Sequence, residues 1–310
     1  MNPYRLRAYI LLIAVSVIWG IAAPVIKFTL RGIDPISFLT YRFFLAAVLG
    51  ILFVLLFARK HLTQLKHNST QIILYSLFAT VISLGLLFLG LERTTVLDAV
   101  LIGTVAPLVT AISGVLFLKE RITNQEKLGI SIAFLGTLIT VIEPIITKAD
   151  DLFQLTGNLF VLGYLLTNGY ASVLAKKLVR RDIEPFTLSN ISWIVGFLAI
   201  FFVALVKSTP AELVTKISGL PLPYHLGVIY MAFISGTLAY SLWIKGQKTI
   251  EVSEAGVFAY LLPVFSAPLA VFWLGEKITP PFVIGAILIT IGVIIAEYKK
   301  RAQGTRQQVH

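Results

Sequence analysis

The chain has 310 residues, of which 57% are hydrophobic and 13% charged, with a formal net charge of +11 and no cysteine. Soluble domains average roughly 45–50% apolar and about 25% charged residues, so this composition excludes an ordinary soluble domain. The lack of cysteine excludes disulfides, thiolate metal sites and cysteine nucleophiles.

Ten apolar segments follow one another along the chain. A helix that crosses a bilayer needs ~20 predominantly apolar residues. In chain order the candidate spans are residues 8–26, 36–58, 70–91, 97–118, 125–143, 154–175, 186–206, 225–245, 254–274 and 280–298. They leave no room for a soluble domain, so the sequence predicts an all-α integral membrane protein with ten transmembrane helices.

The stretch from the end of span 3 into span 5 is repeated, without gaps, from the end of span 8 into span 10. At a constant offset of 156 positions, matching residues include Pro107 and Pro263, Glu120 and Glu276, Gly129 and Gly285, and Gly136 and Gly292. A match that includes a turn, a proline and two glycines indicates an internal repeat, which decides the architecture of the whole chain.

The repeat continues upstream, where Lys27 and Arg31 of span 1 match Lys176 and Arg180 of span 6. Each repeat therefore holds five helices, predicted at 1–150 and 151–300, with a disordered cytoplasmic tail at 301–310. An odd number of crossings per repeat turns the second copy upside down. Two inverted repeats are typical of transporters that bind substrate near the bilayer midplane.

Two pairs of motifs resemble a known family. The segments GEKITPPFVIGAILITIGV and KERITNQEKLGISIAFLGTLI resemble the C-terminal signature of EamA-type transporters of the drug/metabolite transporter superfamily. SVIWGIAAPVIK and YRFFLA look like that family's first and second helices. The resemblance covers essentially the whole chain. It implies a transporter, more often an exporter, but it does not identify the substrate.

The basic residues are distributed unevenly between the loops. With the N-terminus inside and ten spans, most of the 26 Lys and Arg residues fall on inside segments. By the positive-inside rule, this places both termini in the cytoplasm of a multi-pass protein in the plasma (inner) membrane. The positive charge thus reflects topology, and no basic segment is interleaved with aromatic residues as in nucleic-acid binding proteins.

Local signals mark several helix starts and one helix contact. Thr123-x-x-Glu126 is a capping box, and Thr279-Pro280 is an N-cap followed by proline. Asp34-Pro35 and Glu184-Pro185 begin spans 2 and 7 in the same manner. The paired glycines of spans 5 and 10 are seven residues apart, near one helix face, where small residues let backbones approach closely. We expect spans 5 and 10 to be tightly packed structural helices.

Arg42 is the only charged residue well inside a predicted span. Two interpretations stay open. Its side chain could reach outward to water or pair with Asp34 and loop carbonyls. Alternatively, it could face a cavity and hold the carboxylate or phosphate of a substrate, or tie span 2 to a neighbouring helix.

Proline interrupts both members of one repeated pair of spans. Pro107 and Pro263 are repeat mates in the middle of spans 4 and 9, with Pro268 following. Proline inside a helix frees a carbonyl and produces a kink. The kinks could serve packing alone, or they could let spans 4 and 9 line the pathway and flex during alternating access.

A small group of polar-tipped residues lies within the spans. Tyr164 and Asn168 are four residues apart on one face of span 6, and Asn168 occupies the place of Trp19 in the repeat. We predict that Trp19, Tyr164, Asn168 and Tyr260, together with Arg42, line a central cavity suited to a small amphipathic molecule.

The remaining acidic residues have structural interpretations. Asp98 and Glu254 begin spans 4 and 9, where they are expected to stabilise the helix N-termini or, alternatively, to gate the pathway or take up protons. Glu120 and Glu276 lie in the turns before spans 5 and 10, where we expect them to stabilise the turn. No clearly buried carboxylate is predicted that could relay protons.

The sequence lacks a phosphate-binding loop, a zinc-hydrolase motif and a nucleophile elbow. It therefore predicts no cofactor, no metal and no enzymatic activity. The preferred interpretation is a secondary transporter of small organic metabolites, such as amino acids or amphipathic drugs, working in the lipid bilayer without nucleic acid. A membrane-embedded enzyme, and a scramblase or receptor without solute flux, are the alternatives, and a homodimer stays open.

Overall fold

The computed structural model describes residues 3–57, 62–119, 123–147, 151–247 and 257–307, and every regular element in these ranges is helical. The α-helices are α1 Pro3–Thr29, α2 Pro35–Phe57, α3 Leu62–His67, α4 Ser69–Ser76, α5 Ser83–Arg93, α6 Val96–Gly103, α7 Ala106–Leu118, α8 Asn124–Thr147, α9 Leu152–Val179, α10 Pro185–Leu205, α11 Pro210–Ser218, α12 Leu222–Ile229, α13 Ala239–Gln247, α14 Leu262–Phe272 and α15 Pro280–Gln307.

Six helical stretches within the described ranges are long and apolar enough to cross a membrane, and the number rises to eight if each bent pair counts as one span. The bent pairs are α6 with α7, at 41°, and α11 with the helix that begins at α12, at 108°. Two shorter apolar helices, Phe258–Phe272 and Pro280–Ala296, fall below that length. The protein is thus an all-helical, multi-pass membrane protein.

The outer surface of the bundle is apolar. Large hydrophobic side chains point away from the protein on many helices, including Leu116, Phe202 and Phe272, of which 69%, 65% and 88% of the surface is exposed. In water such a surface would be an aggregation hazard, whereas lipid chains solvate it at no cost. The exposed apolar residues therefore face the bilayer.

Helices α8 and α15 share the most extensive contact of the fold, and glycine makes that contact possible. A Cβ atom at Gly129 would lie 2.5 Å from the carbonyl oxygen of Gly292, and one at Gly136 would lie 2.8 Å from that of Gly285. Any side chain would separate the two backbones. The predicted close packing of spans 5 and 10 is confirmed, and the reversed order of the pairs makes these helices antiparallel.

Helices α2 and α10 form the second large contact, and they too are antiparallel. Phe53, late in α2, packs edge-on against Phe186 at the start of α10, with ring centroids 4.5 Å apart. Phe44, earlier in α2, contacts Phe197 further along α10, at 5.5 Å. Helices predicted to be repeat mates therefore pack against each other in opposite directions.

The contacts of the first helix of each predicted repeat are also preserved when the two repeats are exchanged. Helix α1 packs on α13 and α14, and its mate α9 packs on α5 and α7, the mates of those two helices. Spans 3 and 8 each contain a π-helical segment at matching positions, Leu77–Ile82 and Tyr230–Leu238. The two parts of the chain thus share packing and local irregularities.

The predicted helix starts are found. The Thr123 amide donates to the Glu126 carboxylate at 2.6 Å, and the Glu126 amide donates back to the Thr123 hydroxyl at 3.2 Å, which completes the capping box. The carboxylate of Asp34 accepts the amide of Ser37 at 3.0 Å at the start of α2. At the start of α15, the Thr279 hydroxyl accepts the amide of Phe282 at 3.3 Å.

The C-terminal segment differs from its prediction. Helix α15 continues to Gln307, where the sequence predicted a disordered tail from residue 301. The segment EYKKRAQ is rich in residues with high helix propensity, so it extends the preceding helix. Residues 308–310 lie outside the described part of the chain, as do Glu120 and Glu254.

Candidate functional site

The Arg42 side chain is buried among aromatic rings inside the bundle. It lies roughly 10 Å along α2 from Pro35, at 1.5 Å per residue, and only 5% of its surface is exposed. Its guanidinium carbon lies 5.5 Å from the ring centroid of Trp193, 5.6 Å from that of Phe88 and 5.8 Å from that of Phe43. We call these three rings the Arg42 cage.

The cage joins three helices through cation–π contacts. Phe43 lies on α2, Phe88 on α5 and Trp193 on α10. A weakly hydrated, planar guanidinium is the side chain best suited to such stacking. Among the described residues, Arg42 has no carboxylate partner and no hydrogen bond to a side chain or carbonyl. None of its five N–H donors is therefore used by the residues that the structure describes.

Asp34, which the first interpretation of Arg42 offered as its partner, is bound elsewhere. Its carboxylate pairs with Lys216 of α11 and accepts the Ser37 hydroxyl at 2.7 Å. Burial pushes the pKa of Asp34 upward, but the hydrogen bonds from Lys216 and Ser37 outweigh it and hold that pKa below its usual value of 3.8. Arg42 neither pairs with Asp34 nor extends outward to water.

Trp19 belongs to a contact between the first helix and the eighth predicted span. Its indole N–H donates to the carbonyl of Ser235 at 3.0 Å, and its ring lies 5.3 Å from that of Trp243. The hydroxyl of Tyr230 donates to the carbonyl of Ile18 at 2.6 Å in the same contact. One of these bonds therefore satisfies a carbonyl of the π-helical segment Tyr230–Leu238, and the other ties the start of that segment to α1.

The other predicted cavity residues are partly buried, Tyr164 and Asn168 on α9 and Tyr260 in the 3₁₀ turn before α14. Tyr164 and Tyr260 pack against the main hydrophobic core. Asn168 is half-buried on α9, and its main-chain carbonyl accepts the hydroxyl of Ser172 at 2.9 Å. Within the described ranges, no side-chain hydrogen bond joins Trp19, Arg42 and Asn168 to one another. The five residues stay a prediction for the substrate site.

The two repeat-mate prolines occupy the same place in their helices. Pro107 is the second residue of α7, directly after the break that separates it from α6 by 41°. Pro263 is the second residue of α14, directly after a 3₁₀ turn at Val257–Leu261. Because proline lacks an N–H, it fits the first turn of each helix. Pro268 lies inside α14, which continues past it.

Polar groups concentrate where the ends of α1, α5 and α14 meet the starts of α6 and α9. We call this end of the bundle the Lys27 face. Gly275, with a φ of 76°, turns the chain after α14 and leads into Glu276. Both carboxylate oxygens of Glu276 accept backbone amides of α6, from Val96 at 2.7 Å and Leu97 at 2.9 Å. Glu276 therefore caps a distant helix, where the sequence predicted a local turn role.

Lys27 satisfies the end of the neighbouring helix. Its ammonium donates to the carbonyl of Glu92 at 3.1 Å and to that of Thr94 at 2.7 Å. These carbonyls lie at the C-terminal end of α5, where the helix leaves acceptors without internal partners and the helix dipole attracts a cation. Lys27 and Glu276 thus serve the two ends of one helix–helix connection.

Asp98 is more deeply buried than the sequence indicated, with 2% of its surface exposed. The Thr95 hydroxyl caps α6 by accepting the Asp98 amide at 3.0 Å, so the carboxylate is free to bind across to α9. It accepts the side-chain amides of Gln154 at 2.9 Å and Asn158 at 3.4 Å. Asn158 also donates to the carbonyl of Thr140 at 3.1 Å.

Glu143 is a second buried carboxylate that the sequence did not predict. It is 4% exposed and accepts the hydroxyl of Thr279, which links α8 to the start of α15. The expectation that no carboxylate is clearly buried is therefore wrong for both Asp98 and Glu143. The Glu143-Pro144 pair near the end of span 5 was the available signal, but its partner lies 136 residues away.

The Lys27 face contains a cavity of about 220 Å³. It is lined by Lys27, Arg31, Arg93, Thr94, Thr95, Asp151, Gln154, Leu274 and Glu276. Burial raises the pKa of Glu276 above its usual value of 4.5, although the two amide hydrogen bonds and the charge of Lys27 oppose the rise. All of the residues that line the cavity except Leu274 are polar or charged.

Comparison with protein families identifies the fold. The model of the EamA-like transporter family matches residues 6–142 and again residues 155–298. The chain belongs to the EamA-like transporter family. This is a family of transporters, in agreement with the resemblance seen in the sequence motifs.

Relatives of this EamA-like protein are named as transporters. The uncharacterized transporter YyaM of Bacillus subtilis (strain 168) is 28% identical over 292 residues, covering 94% of both chains. A probable amino-acid metabolite efflux pump of Escherichia coli (strain K12) is 23% identical, covering 92% of this chain and 93% of the pump. A crystal structure with 17% identity and a TM-score of 0.64 covers 95% of this chain and 98% of its own, which shows the shared fold.

Proposed function

We propose that this EamA-like protein crosses the membrane ten times as two inverted five-helix repeats, 1–150 and 151–300. The family model matches twice, once in each half. The antiparallel contacts of α8 with α15 and of α2 with α10 support the inversion, because repeat mates that run in opposite directions require it. The two short apolar helices then complete spans 9 and 10.

We propose further that the Lys27 face points away from the cytoplasm, with both termini in the cytoplasm of a plasma (inner) membrane protein. Lys176, Lys177 and Arg180 end α9, the mate of α1, and belong to the basic segments assigned to the inside. The asymmetry of Lys and Arg between loops supports this orientation.

The protein moves a small organic solute, in the export direction, by rocking the two repeats around a central site. The observation that carries this proposal is Arg42, a 5% exposed cation with no anionic partner among the described residues. An ionised side chain within a membrane protein is costly, and it is retained where it serves a function. The relative named as an amino-acid metabolite efflux pump supports solutes that carry a carboxylate.

The remaining proposed site residues extend the path from Arg42. Trp19, Tyr164, Asn168 and Tyr260 line it with ring edges and a few hydrogen-bonding groups. Pro107 and Pro263 begin α7 and α14 directly after the breaks in spans 4 and 9, and Pro268 lies inside α14. These breaks let α7 and α14 adjust as the site opens to alternate sides, because proline cannot donate a backbone hydrogen bond across them.

Reconstitution of the purified protein in liposomes tests the function. Vesicles are loaded with a mixture of amino acids, and entry of a radiolabelled amino acid is followed. We expect counterflow that saturates with the internal concentration and disappears in protein-free vesicles. Movement of a fluorescent lipid between leaflets without solute counterflow would instead indicate a scramblase, and lipid turnover an enzyme.

A further inference from the structure

The cavity at the Lys27 face holds more hydrogen-bond donors than the protein uses. Lys27 spends two of its three N–H groups on backbone carbonyls, which leaves one. The Nε of Arg93 is buried and has no hydrogen-bond partner, and the guanidinium lies over the rings of Phe153 and Phe160 at 5.6 and 5.1 Å. Arg31 is exposed at the mouth, with no ion pair among the described residues.

The carboxylates beside these cations are already engaged. Glu276 uses both oxygens to accept the amides of Val96 and Leu97. Asp151 accepts the amide of Gln154 as the N-cap of α9. The nearest carboxylate to Arg93 is that of its neighbour Glu92, at 3.8 Å from Nε, which is too far for a hydrogen bond.

We propose that this cavity is a binding site for a small monocarboxylate, held between Lys27, Arg31 and Arg93. Three cations and two carboxylates line it, which leaves one formal positive charge. A carboxylate carries one negative charge, whereas a phosphate monoester carries about 1.5 to 2 at neutral pH. Arginine forks bind carboxylates in a bidentate manner, and the unused donors of Arg93 would gain charge-assisted hydrogen bonds.

The dimensions of the cavity agree with a small ligand. Its volume of about 220 Å³ lies below the roughly 300–1,000 Å³ of sites for drug-sized molecules. If the bound carboxylate is also the transported solute, this cavity is an entry or exit point separate from Arg42, and that identity rests on the proposed function. Binding of a carboxylate in the cavity does not depend on transport. Loss of counterflow with intact binding would therefore contradict only the proposed function.

Thermal unfolding of the full chain in phosphatidylcholine nanodiscs tests the site, because that lipid carries no carboxylate. Propionate replaces chloride at constant ionic strength, and propionamide serves as the neutral isostere. Since a ligand that binds only the folded state raises the unfolding temperature, we expect propionate to raise it and propionamide to leave it unchanged. In Arg93→Gln, which removes one guanidinium from the site, the concentration of propionate that gives half of the maximal shift should rise about tenfold or more.

Two further variants keep the test decisive if Arg93→Gln does not fold. Arg31 is exposed, so Arg31→Gln should fold normally and still weaken the propionate effect. Lys207 is equally exposed but does not line the cavity, so Lys207→Gln should behave as wild type. An equal shift with propionamide, no shift with propionate, or an undiminished shift in Arg31→Gln and Arg93→Gln would overturn the proposal.

Discussion

Arg42 and Lys27 are both cations held among apolar helices, but they have different kinds of partner. Lys27 donates to two backbone carbonyls, and the carboxylate of Glu276 lies in the same network. Arg42 is surrounded by three aromatic rings, with no oxygen partner among the described residues. A cation bound to carbonyls stabilises the structure, whereas a cation held by rings alone keeps its donors available for a ligand.

The largest expected effect is on transport by Arg42→Lys. An ammonium is more strongly hydrated than a guanidinium and cannot stack on three rings or bind a carboxylate in a bidentate manner. We expect the counterflow rate to fall about a hundredfold, a loss that displacement of a binding group by ~1 Å can produce, while gel filtration shows a folded protein. Arg180→Lys, at an exposed position, is the matched control. Wild-type rates in Arg42→Lys would contradict the assignment.

Removal of each cation should affect stability in opposite ways. Lys27→Met leaves the carbonyls of Glu92 and Thr94 without their donor, so we expect the free energy of unfolding to fall by about 1–3 kcal/mol. Arg42→Met removes a buried charge that has no ionic partner, and we expect it to be neutral or stabilising. Chemical unfolding measures the free energy of unfolding of both variants. An equal decrease in Lys27→Met and Arg42→Met would contradict the contrast between the two cations.

Loss of the Glu276 carboxylate should lower the free energy of unfolding by less than loss of the Lys27 ammonium. Glu276→Ala leaves two amides of α6 uncapped, so we expect the free energy of unfolding to fall by about 1 kcal/mol, within the range measured for loss of a helix N-cap. Because burial raises the folded pKa of Glu276, its contribution is full below 4.5 and decreases as pH rises through the raised pKa. Unfolding temperatures of wild type and variant across this window should converge with rising pH; divergence would contradict the account.

The smallest effect is expected at the Asp34–Lys216 pair. Both side chains are substantially exposed, so Lys216→Gln should cost roughly 0.2–1 kcal/mol. The folded pKa of Asp34 is lowered, so its contribution is present above 3.8 and is lost as pH falls through the lowered value. Wild type and Lys216→Gln should therefore differ at neutral pH and become alike in acid, as unfolding temperatures would show.

The sequence alone predicted those features that depend on neighbouring residues. The helix starts at Asp34, Thr123 and Thr279 are local hydrogen-bond patterns, and hydropathy locates the helices. The glycine contact of α8 with α15 was also predictable, because the same spacing occurs in both repeats.

The partners of the polar side chains were not predictable. Glu276 caps a helix that lies 180 residues away, and Asp98 is buried by amides that lie 56 and 60 residues along the chain. Gln154 and Asn158 gave no signal because an amide side chain near a span end has no characteristic neighbours. Arg42 was found as a charge, whereas its aromatic cage depends on the packing of three helices.

Single-cysteine labelling of the repeat mates Arg31 and Arg180 tests the inverted arrangement most directly. The natural chain has no cysteine, and both positions are exposed. A membrane-impermeant maleimide added to intact cells should label Arg31→Cys, and should label Arg180→Cys only after the membrane is opened. Labelling of both variants from the same side would contradict the inverted repeat, and with it the proposed transport cycle.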